Sequence, residues 1–290
     1  MELLLTTLVN GLSSGGIYAM IALGYTMVYG IAKMLNFAHG DIIMVGGYTI
    51  FAFMAYKNPL LAIVMAVVVC VLLGVTVEKV AYKPLRGASP LAVLITAIGI
   101  SYLLQSLSQI AFGSAPKIVT VYDFGAVTLF GVNVQVADLV TLGVTLVVMV
   151  VLTLFVKCTR LGRAMIAVSE DKGAAQLMGI NVNGIITITF AIGSALAALA
   201  GLFYLFKSPT VFNTMGAMPG IKAFTAAVIG GIGSIPGAML GGVLLGFVET
   251  ICGRIQAVAA YTDAIEFAIL ILILLVRPTG FLGKKRREKV

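Results

Sequence analysis

The sequence is poor in the residues that build enzyme and metal sites. Its 290 residues include no tryptophan, one histidine (His39) and three cysteines. Cys70, Cys158 and Cys252 have no CxxC spacing, so we predict three unpaired thiols. There is no GxSxG motif, no Ser-His-Asp set, and no His/Cys/carboxylate cluster with metal spacing. A GxxxxGK[ST] phosphate loop is also missing, so the chain cannot bind ATP by that route. We predict that it is not an enzyme and holds no metal or cofactor of its own.

Charge is scarce as well. Charged residues make up 10% of the chain, against about 25% in soluble domains, which argues against a soluble core. Hydrophobic residues reach 60%, and the 33 glycines are typical of membrane helices that pack closely. The net charge of +8 comes from basic residues at the ends of apolar spans, a pattern that indicates membrane orientation rather than nucleic-acid binding. We predict an all-α polytopic membrane protein with one transmembrane domain over residues 1–290.

Long apolar runs predict about eight transmembrane helices, at roughly 20 residues per crossing. They lie near 4–31, 38–56, 60–80, 90–112, 137–156, 186–206, 236–252 and 263–277. The first run follows no basic segment and is long enough to span, so we expect a helix rather than a cleaved signal. One further apolar piece, ended by Gly233–Gly237, is too short to cross. There we predict a re-entrant half-helix near 222–235, with neighbouring protein satisfying its backbone.

The distribution of Lys and Arg predicts the orientation. With the loop 157–185 in the cytosol, all but five of the 19 Lys and Arg residues lie on the cytosolic side. The exceptions are Lys57, Lys117, Lys207, Lys222 and Arg254. The N-terminus is then outside and the basic tail 278–290 is cytosolic. The external loop 113–136, with Gly125 and Gly131, predicts a small hairpin.

The loop 157–185 is the longest polar interruption, and it predicts a short helix. Ser169 is a good N-cap, with Glu170 and Asp171 in the first turn, where acids favour the helix dipole. Gly179 is placed to end the helix in a left-handed conformation. About ten residues would give a length of roughly 15 Å. The apolar side consists of Ala174, Ala175, Leu177 and Met178. Such a helix can seat in a cleft on another protein.

Polar residues at membrane depth are the candidates for a translocation path or gate. Asn36, His39 and Asp41 open the second span near the cytosolic face, with Asn36 as its cap and Asp41 in its first turn. Gln105 and Gln109 lie one turn apart on the fourth span. For the first group the alternative is a capped helix start whose His39 bonds a backbone group. For the glutamines it is a hydrogen bond that ties helices together.

Acidic residues of the last two spans are predicted to be mainly structural. Glu249 has Arg254 five residues on, so a structural pair or an interface contact is favoured over a place on the path, which stays open. Asp263 and Glu266 are expected to be solvated residues at the start of the last span.

Glycines four residues apart predict close helix packing. They are Gly11 and Gly15, and Gly233, Gly237 and Gly241. Small residues at this spacing let backbones approach where lipid offers no hydrophobic drive. We therefore expect a compact bundle around a narrow path.

Four segments together resemble the branched-chain amino acid ABC transporter permeases, in particular their shorter, high-affinity leucine/isoleucine/valine subunit. They are residues 11–30 (GLSSGGIYAMIALGYTMVYG), 36–41 (NFAHGD), 169–181 (SEDKGAAQLMGIN) and 222–242 (KAFTAAVIGGIGSIPGAMLGG). In that family a cytosolic loop of E-A-A…G type docks on the ATP-binding subunit. Glu170, Ala174, Ala175 and Gly179 occupy comparable places here, although three residues separate Glu170 from the alanines.

The resemblance implies a permease that moves Leu, Ile and Val from periplasm to cytosol by alternating access in a bacterial inner membrane. It also implies a second, longer permease in a heterodimer, two ATP-binding subunits that carry ATP and Mg, a periplasmic binding protein, and surrounding lipid. The coupling residues would be Ser169, Glu170, Asp171, Ala174, Ala175, Leu177, Met178 and Gly179. A urea or short-amide permease of the same family is the nearest alternative. An ion-coupled amino acid transporter would place paired charges at midplane, which only Glu249 approaches.

Overall fold

The computed structural model describes residues 2–122, 124–129 and 132–283, and most of them are helical. The helices are α1 (Glu2–Ala32), α2 (His39–Met54), α3 (Pro59–Val77), α4 (Pro90–Phe112), α5 (Val136–Cys158), α6 (Arg160–Glu170), α7 (Lys172–Leu177), α8 (Val182–Lys207), α9 (Ala217–Gly230), α10 (Ile235–Arg254) and α11 (Thr262–Val276). A π-helical turn (Glu78–Tyr82) extends α3, and a 3-10 turn (Ala259–Tyr261) precedes α11. Gly131 and residues 284–290 of the predicted basic tail lie outside the described residues.

Within the described ranges, seven helices are long and apolar enough to cross a membrane. They are α1, α3 with its π-helical turn, α4, α5, α8, α10, and α11 with its 3-10 turn. The remaining apolar helices, α2 and α9, have 16 and 14 residues. At 1.5 Å per residue they are about 24 and 21 Å long, short of a hydrocarbon core of about 30 Å. The chain is a multi-pass membrane protein, but α2, which we counted among eight spans, is shorter than a full crossing.

A tight reversal separates α9 from α10. The predicted half-helix near 222–235 is present as α9, which starts earlier and ends at Gly230. Gly231 and Gly233 have φ of +104° and +93°, a backbone conformation that favours glycine. Gly233, which we predicted to pack between helices, lies in this turn, where a Cβ would be 3.9 Å from the Gly30 Cα of α1. After the turn α10 runs back along α9, where a Cβ at Gly237 would lie 2.3 Å from the Gly230 carbonyl oxygen.

Helix α1 lies at the centre of the bundle, with 89% of its most apolar window buried. It packs antiparallel against α10, because residues near its start contact residues near the end of α10. A Cβ at Gly11 would lie 2.7 Å from the Phe247 ring, and one at Gly15 would lie 2.7 Å from the Val243 Cα. Glycine thus allows direct contact between the two backbones. Gly237 and Gly241 lie at the contact of α10 with α9.

Four short strands lie at one end of the bundle. β2 (Ala126–Leu129) and β3 (Val132–Gln135) pair antiparallel, which confirms the predicted hairpin. β1 (Lys117–Ile118) pairs with β4 (Thr210–Val211) and so joins the segments that follow α4 and α8, a contact that we did not predict. We call this end of the bundle the hairpin end. The opposite end, which carries α6 and α7, is called the coupling end.

Candidate functional site

The polar loop at the coupling end folds into two helices instead of one. Ser169 and Glu170 are the last residues of α6, where the Ser169 hydroxyl donates to a carbonyl of the preceding turn at 2.7 Å. The prediction that Ser169 caps the next helix is therefore wrong. Asp171 is the cap, since its carboxylate accepts from the amides of Gly173 and Ala174 at 2.8 and 3.0 Å. The capped helix α7 has six residues instead of about ten.

The tip of α7 is apolar and uncovered by the chain itself. Gly179 follows the helix with φ of +81°, the left-handed conformation that we predicted. Leu177 and Met178 are 90% and 83% exposed. Of the two alanines, Ala174 is exposed, whereas Ala175 is buried against the permease. Large apolar side chains this exposed at the end of a polar loop indicate a protein interaction site.

A polar network fixes the start of α7 to the membrane helices. The Lys172 ammonium donates to the carbonyl of Ala32, the last residue of α1, at 2.7 Å. Partial burial, and then the nearby Arg86 guanidinium, lower the pKa of Lys172. Arg86 in turn forms an ion pair with Glu78, which is buried in the π-helical turn and accepts from the Thr187 hydroxyl at 2.8 Å. The bond from Lys172 joins α7 to α1, and the Glu78 contacts separately join the π-helical turn to α8. Our sequence analysis did not predict these contacts, although Glu78, directly after the apolar run of α3, is the kind of residue that marks a polar contact in a membrane protein.

The segment 36–41 lies inside the bundle rather than near its surface. His39 packs on Gly24 of α1, where a Cβ would lie 2.3 Å from the imidazole Nε2. Gly24 precedes Gly30 by six residues, and Gly30 faces Gly233 in the turn at the coupling end. A rise of 1.5 Å per residue puts His39 about 9 Å into the bundle. The motif opens α2, as predicted, because α2 begins at His39; its place near the cytosolic face stays a prediction.

The polar side chains of this segment contact neighbouring helices. Asn36 does not cap α2, whose N-cap residue is Ala38. Instead the Asn36 side-chain oxygen accepts from the Tyr82 hydroxyl at 2.8 Å. His39 is buried edge-on against Tyr25, with ring centroids 4.7 Å apart. Its Nε2 has no hydrogen-bond partner among the described residues.

Asp41 lies in the first turn of α2, as predicted. Its carboxylate accepts from the Gln105 side-chain amide at 2.9 Å, so Gln105 joins α4 to α2. Gln109, one turn further along α4, accepts from Asn213 at 3.5 Å, the outer limit of a hydrogen bond. The two glutamines share a helix face but contact different elements.

Aromatic side chains of α1, α9 and the segment before α2 pack together between the cavity-lining part of α1 and the coupling end. Phe224 of α9 packs against Phe37 at 5.3 Å and against Tyr25 at 5.8 Å between ring centroids. A fissure lined by Tyr25, Tyr29, Asn36 and Phe224 is too narrow to admit a water molecule. We call Tyr25, Phe37 and Phe224 the aromatic barrier.

A cavity of about 210 Å³ lies nearer the hairpin end, between α1, α8, α9 and α10. The buried Lys222 of α9 lies at its edge and pairs with Glu249 and Asp263 at 2.8 Å each, and with Glu266 at 3.4 Å. Glu249 also accepts from the Tyr18 hydroxyl at 2.9 Å. Sequence reasoning placed Lys222 among the external basic residues and missed this cluster, because its members come from α9, α10 and α11.

The three carboxylates of the cluster differ in exposure. Asp263 is half-exposed in the first turn of α11, as expected of a solvated residue. Glu266 is fully buried, so the prediction that it is solvated is wrong. The reason is that Lys222 packs beside the first turns of α11 and draws Glu266 inward. For Glu249 the structure supplies Lys222 as an ion-pair partner, where the sequence suggested Arg254.

The chain is similar to known transport proteins along nearly its whole length. A family model described as branched-chain amino acid transport system, permease component, matches residues 7–274. The chain is 45% identical to the high-affinity branched-chain amino acid transport system permease protein BraD of Pseudomonas aeruginosa, over 99% of this chain and 98% of that protein. It is 42% identical to the LivH permease protein of such a system in Escherichia coli, with 97% and 96% covered. Identity to the ribose import permease protein RbsC of Haemophilus influenzae is 25%, with 96% and 86% covered.

Proposed function

The chain belongs to the branched-chain amino acid transport permease family, and from this premise we propose that it is the membrane-spanning subunit of an ATP-driven importer of Leu, Ile and Val. The observation that carries the proposal is the 45% identity to a high-affinity permease protein of that transport system, over 99% of this chain. Transport would run from periplasm to cytosol across a bacterial inner membrane, with the coupling end in the cytosol.

The permease works with partner subunits in this proposal. Its sequence has no phosphate loop, so ATP and Mg bind to two cytosolic ATP-binding subunits. Leu177 and Met178, exposed at the tip of α7, support docking of α7 in a groove on one of these subunits. A second, longer permease completes the membrane part, and a periplasmic protein delivers the amino acid.

Alternating access in this proposal is supported by the position of the cavity relative to the aromatic barrier. The cavity lies nearer the hairpin end than the barrier does, and we propose that the barrier separates it from the coupling end until ATP acts. A ligand shifts a conformational equilibrium only by its differential affinity for the two states, so ATP acts here through the docked α7. The bond from Lys172 to Ala32 connects α7 to the end of α1. The segment that follows Ala32 and leads into α2 carries the barrier residue Phe37.

Reconstitution tests the proposal. The permease is placed in liposomes with its candidate partner permease, ATP-binding subunits and binding protein, and uptake of leucine, urea and ribose is measured. We expect leucine uptake that requires internal ATP and stops when the ATP-binding subunits are omitted. Urea uptake without leucine uptake would replace the substrate assignment. Uptake that follows an ion gradient without ATP-binding subunits would identify a secondary transporter.

A further inference from the structure

Three charged residues line the cavity between α1, α8, α9 and α10, and they are Lys207, Lys222 and Glu249. Lys207 is the last residue of α8, and Glu249 lies near the end of α10. Their side chains are 31% and 30% exposed, so both remain accessible from the cavity. Charged residues within transmembrane segments are costly and usually mark a path for substrate or ions. The cavity therefore presents an acceptor and a donor of opposite charge to whatever enters it.

The Glu249 side of the cavity has a surplus of negative charge. Lys222 is the ammonium that Glu249, Asp263 and Glu266 share. Three carboxylates around one cation leave room for a second cation, which opposite charge at short range would stabilise. Glu249 is the carboxylate of this set that lines the cavity. An ammonium group, with three N–H donors, fits this position.

The Lys207 side of the cavity is suited to an anion. The nearest carboxylate oxygen, of Asp138, lies 3.9 Å from the Lys207 ammonium, a long ion pair. The ammonium also donates to the Ser14 hydroxyl and, at 3.4 Å, to the Asn10 carbonyl. Because the Ser14 oxygen accepts this bond, its own proton remains available to a carboxylate. Ser14 and Lys207 both line the cavity.

The rest of the lining includes the apolar side chains of Ile17, Met218 and Pro219. We infer that the cavity is a subsite for a zwitterionic aliphatic amino acid, with its ammonium on Glu249 and its carboxylate on Lys207 and Ser14. The branched side chain lies against the apolar residues. This inference rests on the proposed function and deepens it, since it assigns the residues that hold the substrate after delivery and before the aromatic barrier opens.

Protection of a cysteine reporter tests the subsite. Ser208 lines the cavity, and Ser208→Cys keeps its size. The exposed native thiol is removed by Cys158→Ser, while Cys70 and Cys252 are buried. The assembled complex, without binding protein, is reacted with a maleimide in the presence of leucine, isoamylamine (which lacks the carboxylate) or isocaproate (which lacks the amine). We expect leucine to slow labelling severalfold and at lower concentration than either analogue.

Charge substitutions then test the two contacts. Lys207→Met should raise the leucine concentration for half-protection about tenfold, the size of one charge-assisted hydrogen bond, and should remove the advantage of leucine over isoamylamine. Glu249→Gln should remove the stronger protection that leucine gives over isocaproate. Lys57→Met, at an exposed lysine between α2 and α3, should change neither. If Glu249→Gln fails to assemble, Lys207→Met decides the question alone, since Lys207 is partly exposed.

The labelling experiment can disprove the subsite without disproving the proposed function. If leucine does not slow labelling of the reporter, or if both analogues protect as well as leucine, the subsite is wrong. Unchanged protection in Lys207→Met would also overturn it. ATP-dependent leucine uptake by the reconstituted system would leave the proposed function standing in each of these cases.

Discussion

Single glycine residues determine how closely the central helices approach. Gly246 of α10 faces α1 at backbone distance, so a Cβ there would lie 2.1 Å from the Gly15 nitrogen and 2.6 Å from the Gly11 oxygen. No side chain can yield at such a contact, because the atoms opposite belong to the backbone. Since lipid provides no hydrophobic drive between helices, close packing of this kind carries much of the association energy.

Gly246→Ala should therefore destabilise the permease by about 1–3 kcal/mol, the usual cost of overpacking. The matched control is Gly143→Ala on α5, where no atom lies within 4 Å of the new Cβ. There the better helix propensity of alanine should be neutral or stabilising by up to about 1 kcal/mol. Thermal unfolding of the detergent-purified protein, followed by size-exclusion chromatography, measures both variants. Equal melting temperatures would mean that the α1–α10 contact yields to the methyl group.

At the scale of elements, the short helix α7 is the part of the chain that we propose docks on an ATP-binding subunit. Asp171 caps the start of α7 by accepting from two backbone amides, and Gly179, in the left-handed conformation, follows its end. The helix is too short to be stable by itself. Lys172 and the buried Ala175 hold it on the permease, which leaves Leu177 and Met178 exposed for a partner.

Ala174→Arg should abolish association with the ATP-binding subunits while membrane insertion stays intact. Ala174 is exposed in the permease, so the larger side chain costs nothing within the chain and obstructs only a partner. Co-purification of tagged ATP-binding subunits and leucine uptake measure the effect, and Ala174→Ser is the matched control. Normal co-purification and uptake in Ala174→Arg would remove the docking role of α7.

At the scale of the whole molecule, the two ends of the bundle differ in structure. The coupling end carries α6 and α7, and the hairpin end carries the four strands. From the distribution of Lys and Arg we predict that the first faces the cytosol and the second the outside. Cys158, at the end of α5, is an exposed native thiol at the coupling end, whereas Cys70 and Cys252 are buried.

A membrane-impermeant maleimide should consequently label Cys158 in inside-out vesicles and not in intact spheroplasts. Cys158→Ser should abolish the labelling, because burial shields the other two thiols. Tyr56, 70% exposed between α2 and α3, supplies the opposite test. In the Cys158→Ser background, Tyr56→Cys should react in spheroplasts. Labelling of Cys158 from the outer surface would invert the orientation and place α7 beyond the reach of cytosolic subunits.

Local sequence was sufficient for the elements whose cause is local. Apolar runs located the helices, and the short run before Gly233 located α9, because span length depends on bilayer thickness. The hairpin and the left-handed Gly179 followed from β-branched and glycine positions. The α7 cap was misassigned because Ser169 and Asp171 are both good caps, and only the extent of α6 decides between them.

The contacts between distant segments were decided by the tertiary structure alone. Lys222, Glu249 and Glu266 look like separate charges along the chain, and the packing of α9, α10 and α11 brings them into one ion-pair cluster. The inward position of His39 depends on the close approach of α1 and α8 at Gly24, which no pattern within 36–41 reveals. Sequence therefore determined that this chain is a membrane permease with a polar segment between α5 and α8. The depth of its polar groups and the pairing of its charges depend on how helices pack, which local propensity does not specify.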